Sequence, residues 1–120
     1  MATKAEIRKR VANDLGILPL NQSLQSEHVT RINSAYDEVY ARLKRGGLAI
    51  WASSAAVPDE ITPYMITLVT DNCLKTYGVA KETYKRIKLD AGPNGETAMQ
   101  KIREFISSDY SLSDDEPSDY

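Results

Sequence analysis

A chain of 120 residues with 42% apolar content and a formal charge of −2 has room for one modest core and a tail. Its single cysteine, Cys73, excludes an internal disulfide. No apolar run approaches the roughly 18 residues of a membrane span, and "MATKAEIRKR" has no apolar core behind its charges, so no signal peptide is read and folding in a cytoplasm is expected.

Thr3 with Glu6 fits a capping box, and Ile7, Val11 and Leu15 form one apolar stripe. This predicts a helix over residues 3–15, stopped by Gly16. The following "ILPLNQSLQ" reads as a loop whose Ile17, Leu18 and Leu20 pack back on the body. A second helix starts near Ser23 or Ser26 and runs to Lys44, with Val29, Ile32, Tyr36, Val39 or Tyr40, and Leu43 on its apolar face. At about twenty residues it is roughly 30 Å long. Gly46 and Gly47 end it, and Arg42, Lys44 and Arg45 lie in its last turn, where the helix dipole favours cations.

Residues 46–57 then carry no charge and include Trp51, the only Trp. A third helix follows; Pro58 or Pro63 could sit at its first turn, and Thr62 with Pro63 makes a good pair of N-cap and first helical residue. Ile61, Met65, Leu68, Val69, Leu74 and Tyr77 give it apolar character on more than one side, so it is expected to be the central helix. Gly78 marks an elbow. A fourth helix over residues 80–90 places Ala80, Tyr84, Ile87 and Ala91 on one face. "AGPNG" breaks the chain, and a short fifth helix over residues 96–106 carries Ala98, Ile102, Phe105 and Ile106. No long alternating pattern appears, so the class is all-α, a small bundle of four to five helices with a long second helix. Residues 1–106 form the body, and residues 107–120 are read as an acidic, extended C-terminal arm.

The search for chemistry finds no catalytic group, cofactor site or metal site. His28 stands alone, without partners at ligand spacing, and reads as a surface or cap residue. Cys73 reads as a small core residue. Asp59 and Glu60 could be proposed as the acid pair of a hydrolase, but acids after Pro58 more simply favour a helix N-terminus. "AGPNG" lacks the Lys-Ser/Thr of a phosphate loop. The basic groups Arg8-Lys9-Arg10, Arg42-Lys44-Arg45 and Lys81-Lys85-Arg86-Lys88 read as solvated helix faces. The spacing of helices 1 and 2 is too long for a helix-turn-helix.

Charge is unevenly spread. Five acids and no Lys or Arg follow Ile106, so residues 1–106 carry 15 bases against 12 acids, or +3. Neither part is charged enough to make nucleic acid the main ligand. The apolar residues left outside the stripes, among them Leu48, Ile50, Trp51 and Val57, are expected to be covered by another chain. Tyr110 and Leu112, spaced as on a strand, and Tyr120 are expected to anchor the arm on a partner.

The segment "VANDLGI", the Trp-bearing loop leading through proline, and "MITLVTDNCLKTYGVAKETYKRIK" together resemble the head-to-tail adaptor proteins of short-tailed bacteriophages, also called tail accessory factors or head completion proteins. The resemblance covers roughly residues 6–105, and "DLGI" and "DNCLKTYGVAKETY" are its most specific parts. It implies a helical virion protein, made in the host cytoplasm, that forms a ring, usually of twelve, beneath the portal protein at the head–tail junction. Such a ring extends the DNA channel without sequence-specific binding and seats a tail or nozzle protein. No catalytic residue or cofactor, and no membrane, is implied. Where relatives often continue as longer helices, this chain has "AGPNG". The alternative reading is a small helical regulatory or interaction protein, working as a dimer.

Overall fold

The computed structural model describes residues 1–17, 25–53, 55–74 and 76–115, with side chains described as far as Ser107. The capping box closes in both directions. Thr3 Oγ1 accepts from the Glu6 N–H at 3.1 Å, and Glu6 Oε1 accepts from the Thr3 N–H at 2.8 Å. Two of the orphan donors at a helix start are thereby satisfied. Helix α1 (Lys4–Leu15) buries Ile7, Val11, Ala12 and Leu15, the predicted stripe with one addition. Gly16 and Ile17 donate their N–H groups back to its last turn.

Helix α2 (Ser26–Arg45) buries Ile32, Ala35, Tyr36, Val39 and Leu43. Helix α3 (Thr62–Cys73) touches each of the other four helices. Seven of its twelve residues are buried, among them Met65, Leu68, Val69 and Cys73. It is the central helix, as apolar residues on several of its sides predict. Pro63 lies in its first turn, as expected, but the cap does not fall on Thr62. The chain is already turning at Pro58, whose carbonyl accepts from the N–H groups of Ile61 and Thr62 at 3.0 Å each. Thr62 is therefore the first residue of the helix and not its cap. Being buried, its hydroxyl is satisfied locally and donates to the Pro58 carbonyl at 2.9 Å.

Helix α4 (Lys81–Ala91) buries only Ile87 and Ala91. Tyr84, expected on that buried face, is 46% exposed, because the residues around it meet a groove described below. A 3-10 turn (Pro93–Gly95) follows and leads into α5 (Glu96–Asp115). Gly92, Asn94 and Gly95 all have positive φ. Only glycine and, less readily, asparagine take up such angles without strain, which accounts for the composition of "AGPNG".

The expected short fifth helix and extended arm are corrected: α5 continues to Asp115. Ala98, Met99 and Ile102 are buried, so the helix is nucleated against the body. Each further residue then adds a backbone hydrogen bond at small entropic cost. No glycine or proline interrupts the sequence from Glu96 until Pro117. The strand reading of Tyr110 and Leu112 falls with this correction, since alternate residues share a face on a strand and not on a helix. Residues 116–120, with Tyr120, and residues 18–24, with Leu18 and Leu20, lie outside the described residues.

Burial and pairing raise several pKa values in the fold and so couple its stability to alkaline pH. Burial pushes the Cys73 thiol from its ordinary value near 9.0 up to about 11, and it raises the Tyr36 phenol. Lys88 is also raised, by its pairing with Asp71. In each case the folded protein holds its proton to a higher pH than the unfolded chain does. Their contribution is complete below the unfolded values and is lost as pH rises through the folded ones. The urea midpoint at pH 10.5 should therefore fall below that at pH 8; a midpoint unchanged over this window would contradict the burial of Cys73 and Tyr36.

Candidate functional site

Two places on this body are candidates for a functional site: the uncharged loop of residues 46–57 and a groove beside α3. The loop is not left over for another chain. Leu48, Trp51 and Val57 are 4%, 7% and 0% exposed within the protein's own fold. This corrects the expectation that they offer an interface, because buried side chains present no surface to dock on. Two tyrosines one turn apart on α2 hold Trp51. Its indole Nε1–H donates to Tyr36 Oη at 3.3 Å, and Tyr40 Oη donates to the Trp51 carbonyl at 2.6 Å. The Tyr40 and Trp51 rings meet edge to face, 5.8 Å apart at 71°. Further along, Val57 and Ala2 exchange two backbone hydrogen bonds, of 3.2 and 2.8 Å, which tie the loop to the start of the chain. Among the expected loop contacts only Ile50 is exposed, at 36%. Tyr110 and Leu112 lie on α5 beyond the described side chains, and Tyr120 lies outside the described residues.

The groove, about 640 Å³ in volume, runs between α2, α3, α4 and the start of α5. Leu43, Leu68, Leu74 and Met99 give it an apolar floor, and its rim is polar. Glu38 Oε1 accepts from Asn72 Nδ2 at 3.3 Å. The Arg42 guanidinium donates to the Asn94 carbonyl and lies 4.0 Å from the Glu96 carboxylate, joining α2 to the turn before α5. The Lys88 ammonium sits 3.0 Å from Asp71 Oδ1 and over the Tyr84 ring, 5.8 Å from its centroid. That carboxylate oxygen is buried and accepts no hydrogen bond among the described residues, and the Lys88 ammonium is its ion-pair partner. The rim groups thus spend their hydrogen bonds on one another and link helices. No periodic pattern in the sequence marks this set, because Glu38, Asp71, Lys88 and Glu96 come from four separate elements.

The other candidates take structural places. His28 is half-buried and bonds Tyr77 Oη through Nδ1 at 2.7 Å, bridging α2 to the elbow after α3. It is a tie between elements and neither a helix cap nor a free surface residue. Asp59 and Glu60 are exposed on the turn before α3, where Asp59 pairs with the Met1 ammonium at 2.6 Å. From the basic groups, Arg8 bonds Asn33 at 3.1 Å, whereas Lys9, Arg10, Lys44, Arg45, Lys81, Lys85 and Arg86 are solvent-exposed, as expected of helix faces. Among the described residues, no three potential metal ligands converge, and no helix is long and apolar enough to cross a membrane.

Among the described residues the chain is a small all-α domain with five α-helices and one 3-10 turn. The chain matches no family model, no curated protein and no solved structure.

Proposed function

We propose that this chain is a structural virion protein, a head-to-tail adaptor whose copies form a ring beneath the portal of a short-tailed bacteriophage. In that role it extends the channel through which the genome passes and connects the head to a tail or nozzle protein. The observation that carries the proposal is where the two most specific segments of the resemblance fall. "DLGI" is the end of α1 with the Gly16 stop and the residue after it. "DNCLKTYGVAKETY" is the passage from the central helix α3 through Gly78 into α4. Both belong to helix ends in an all-α body, as the resemblance implies. The continuation of α5 to Asp115 also supports it, since a long helix with acids in its last turns suits contact with a neighbouring molecule.

The test is to co-express the chain with the portal protein of the same phage and weigh the product by native mass spectrometry. One large complex with a fixed number of copies, expected to be twelve, is the predicted result. A chain that stays monomeric beside an intact portal ring contradicts the proposal. A chain that forms a stable dimer and ignores the portal supports the regulatory alternative.

A further inference from the structure

Helix α4 buries a much smaller share of its residues than α3, the helix it packs on. Two of its eleven residues are buried, against seven of twelve in α3. Its first turn has no side-chain cap, because the residue at the N-cap is Ala80. An uncapped helix of this length has little stability of its own and depends on what it packs against. What it packs with is Ile87, Ala91 and one ion pair, Lys88 to Asp71. Leu89 stands 80% exposed and Tyr84 46%.

Glycines flank it on both sides. At Gly78 an added Cβ would meet nothing within 4 Å, so that side of the backbone faces open space. At Gly92 φ is 79° and ψ 175°, a conformation that only glycine adopts readily. Between those two points α4 supplies Tyr84 and Lys88 to the wall of the groove, next to the apolar side chains of Leu68, Leu74 and Met99.

From these observations we infer that α4 is a lid, a separately opening unit that swings from the body on Gly78 and Gly92 while α1, α2, α3 and α5 stay folded. Closed, it is latched by Lys88 on the buried Asp71 carboxylate. Open, it bares the floor of the groove beside that carboxylate. Opening gives up the burial of Ile87 and Ala91, one ion pair and the cover over Leu68, Leu74 and Met99, whereas opening α3 would dismantle the core. Units with few buried contacts open at a lower free energy than the whole protein. The inference stands on the packing of α4 and does not depend on the proposed function.

Native-state hydrogen exchange of the full chain tests it. The amides of Ile87, Lys88 and Leu89 should exchange at least about 100-fold faster than those of Leu68, Val69 and Thr70, with a weaker response to low urea, as local opening requires. Lys88→Met removes the latch and leaves the Asp71 oxygen unpaired. It should speed exchange in α4 about tenfold further while changing α3 much less. If α3 and α4 exchange at one rate with one urea dependence, α4 opens only with global unfolding and the inference is overturned. An equal acceleration of both helices by Lys88→Met would overturn it too. Should that variant not fold, the comparison within the parent protein still decides.

Discussion

Replacing Trp51 by alanine should cost about 3–5 kcal/mol of folding stability, the usual loss for a large aromatic side chain removed from a core. Trp51 is 7% exposed, packs edge-on against Tyr40 and donates to Tyr36 Oη. Its removal leaves a cavity over α2 and deprives a buried phenol of its donor. Since whole domains are stable by about 5–15 kcal/mol, such a variant sits near the edge of unfolding. Urea denaturation followed by circular dichroism measures the loss. Trp51→Phe keeps a six-membered aromatic ring but loses the pyrrole ring with its N–H, so it should cost less, about 1–2 kcal/mol, and shows how much of the loss the remaining ring prevents. A loop that served only another chain would behave differently: Trp51→Ala would assemble poorly and melt like the parent. A parental urea midpoint for Trp51→Ala would sink the core assignment.

The second large effect is expected at Gly92. Its φ of 79° with ψ of 175° strains any residue with a Cβ, by about 1–3 kcal/mol. An alanine Cβ would also lie 2.1 Å from Thr97 Oγ1, 2.6 Å from Thr97 Cβ and 2.8 Å from Thr97 N. The first two contacts belong to a side chain, but the third is backbone at the start of α5 and cannot be relieved without moving that helix. Strain and overpacking together predict a loss of roughly 2–5 kcal/mol for Gly92→Ala. Adding Thr97→Ala should recover only a part, because the backbone contact and the φ strain persist. Thermal melts of the single and double variants check this. A single variant within about 0.5 kcal/mol of the parent, the range of an ordinary surface change, would show that the turn is free to adapt.

Wherever the fold rests on local chemistry, it was legible. Thr3 and Glu6 announce the start of α1, and its stop is written at Gly16. The stripe through Ile32, Tyr36, Val39 and Leu43 defines the inner face of α2. Apolar residues on several sides of α3 mark it as central, and all of Ile61, Met65, Leu68, Val69, Cys73 and Leu74 are buried. The miss at Tyr84 is instructive: periodicity placed it on the inner face of α4, but a groove takes the place of packed neighbours there.

By itself the sequence determined the helical class, the order of the elements and most of their ends, because caps, glycine stops and 3.6-residue stripes act within a few residues of one another. Only the tertiary structure decided where the uncharged loop goes. An apolar run states that it must be covered but not by what, and the cover proved to be Tyr36 and Tyr40 of the same chain. It also decided how far α5 runs, since the Ser- and Asp-rich composition after Ile106 argues against a helix while the packed turns before it make continuation easy. The pairing of Asp71 with Lys88 belongs to the same kind. These contacts join residues far apart in the chain, and their partners are chosen by how the helices stack, which no local pattern records.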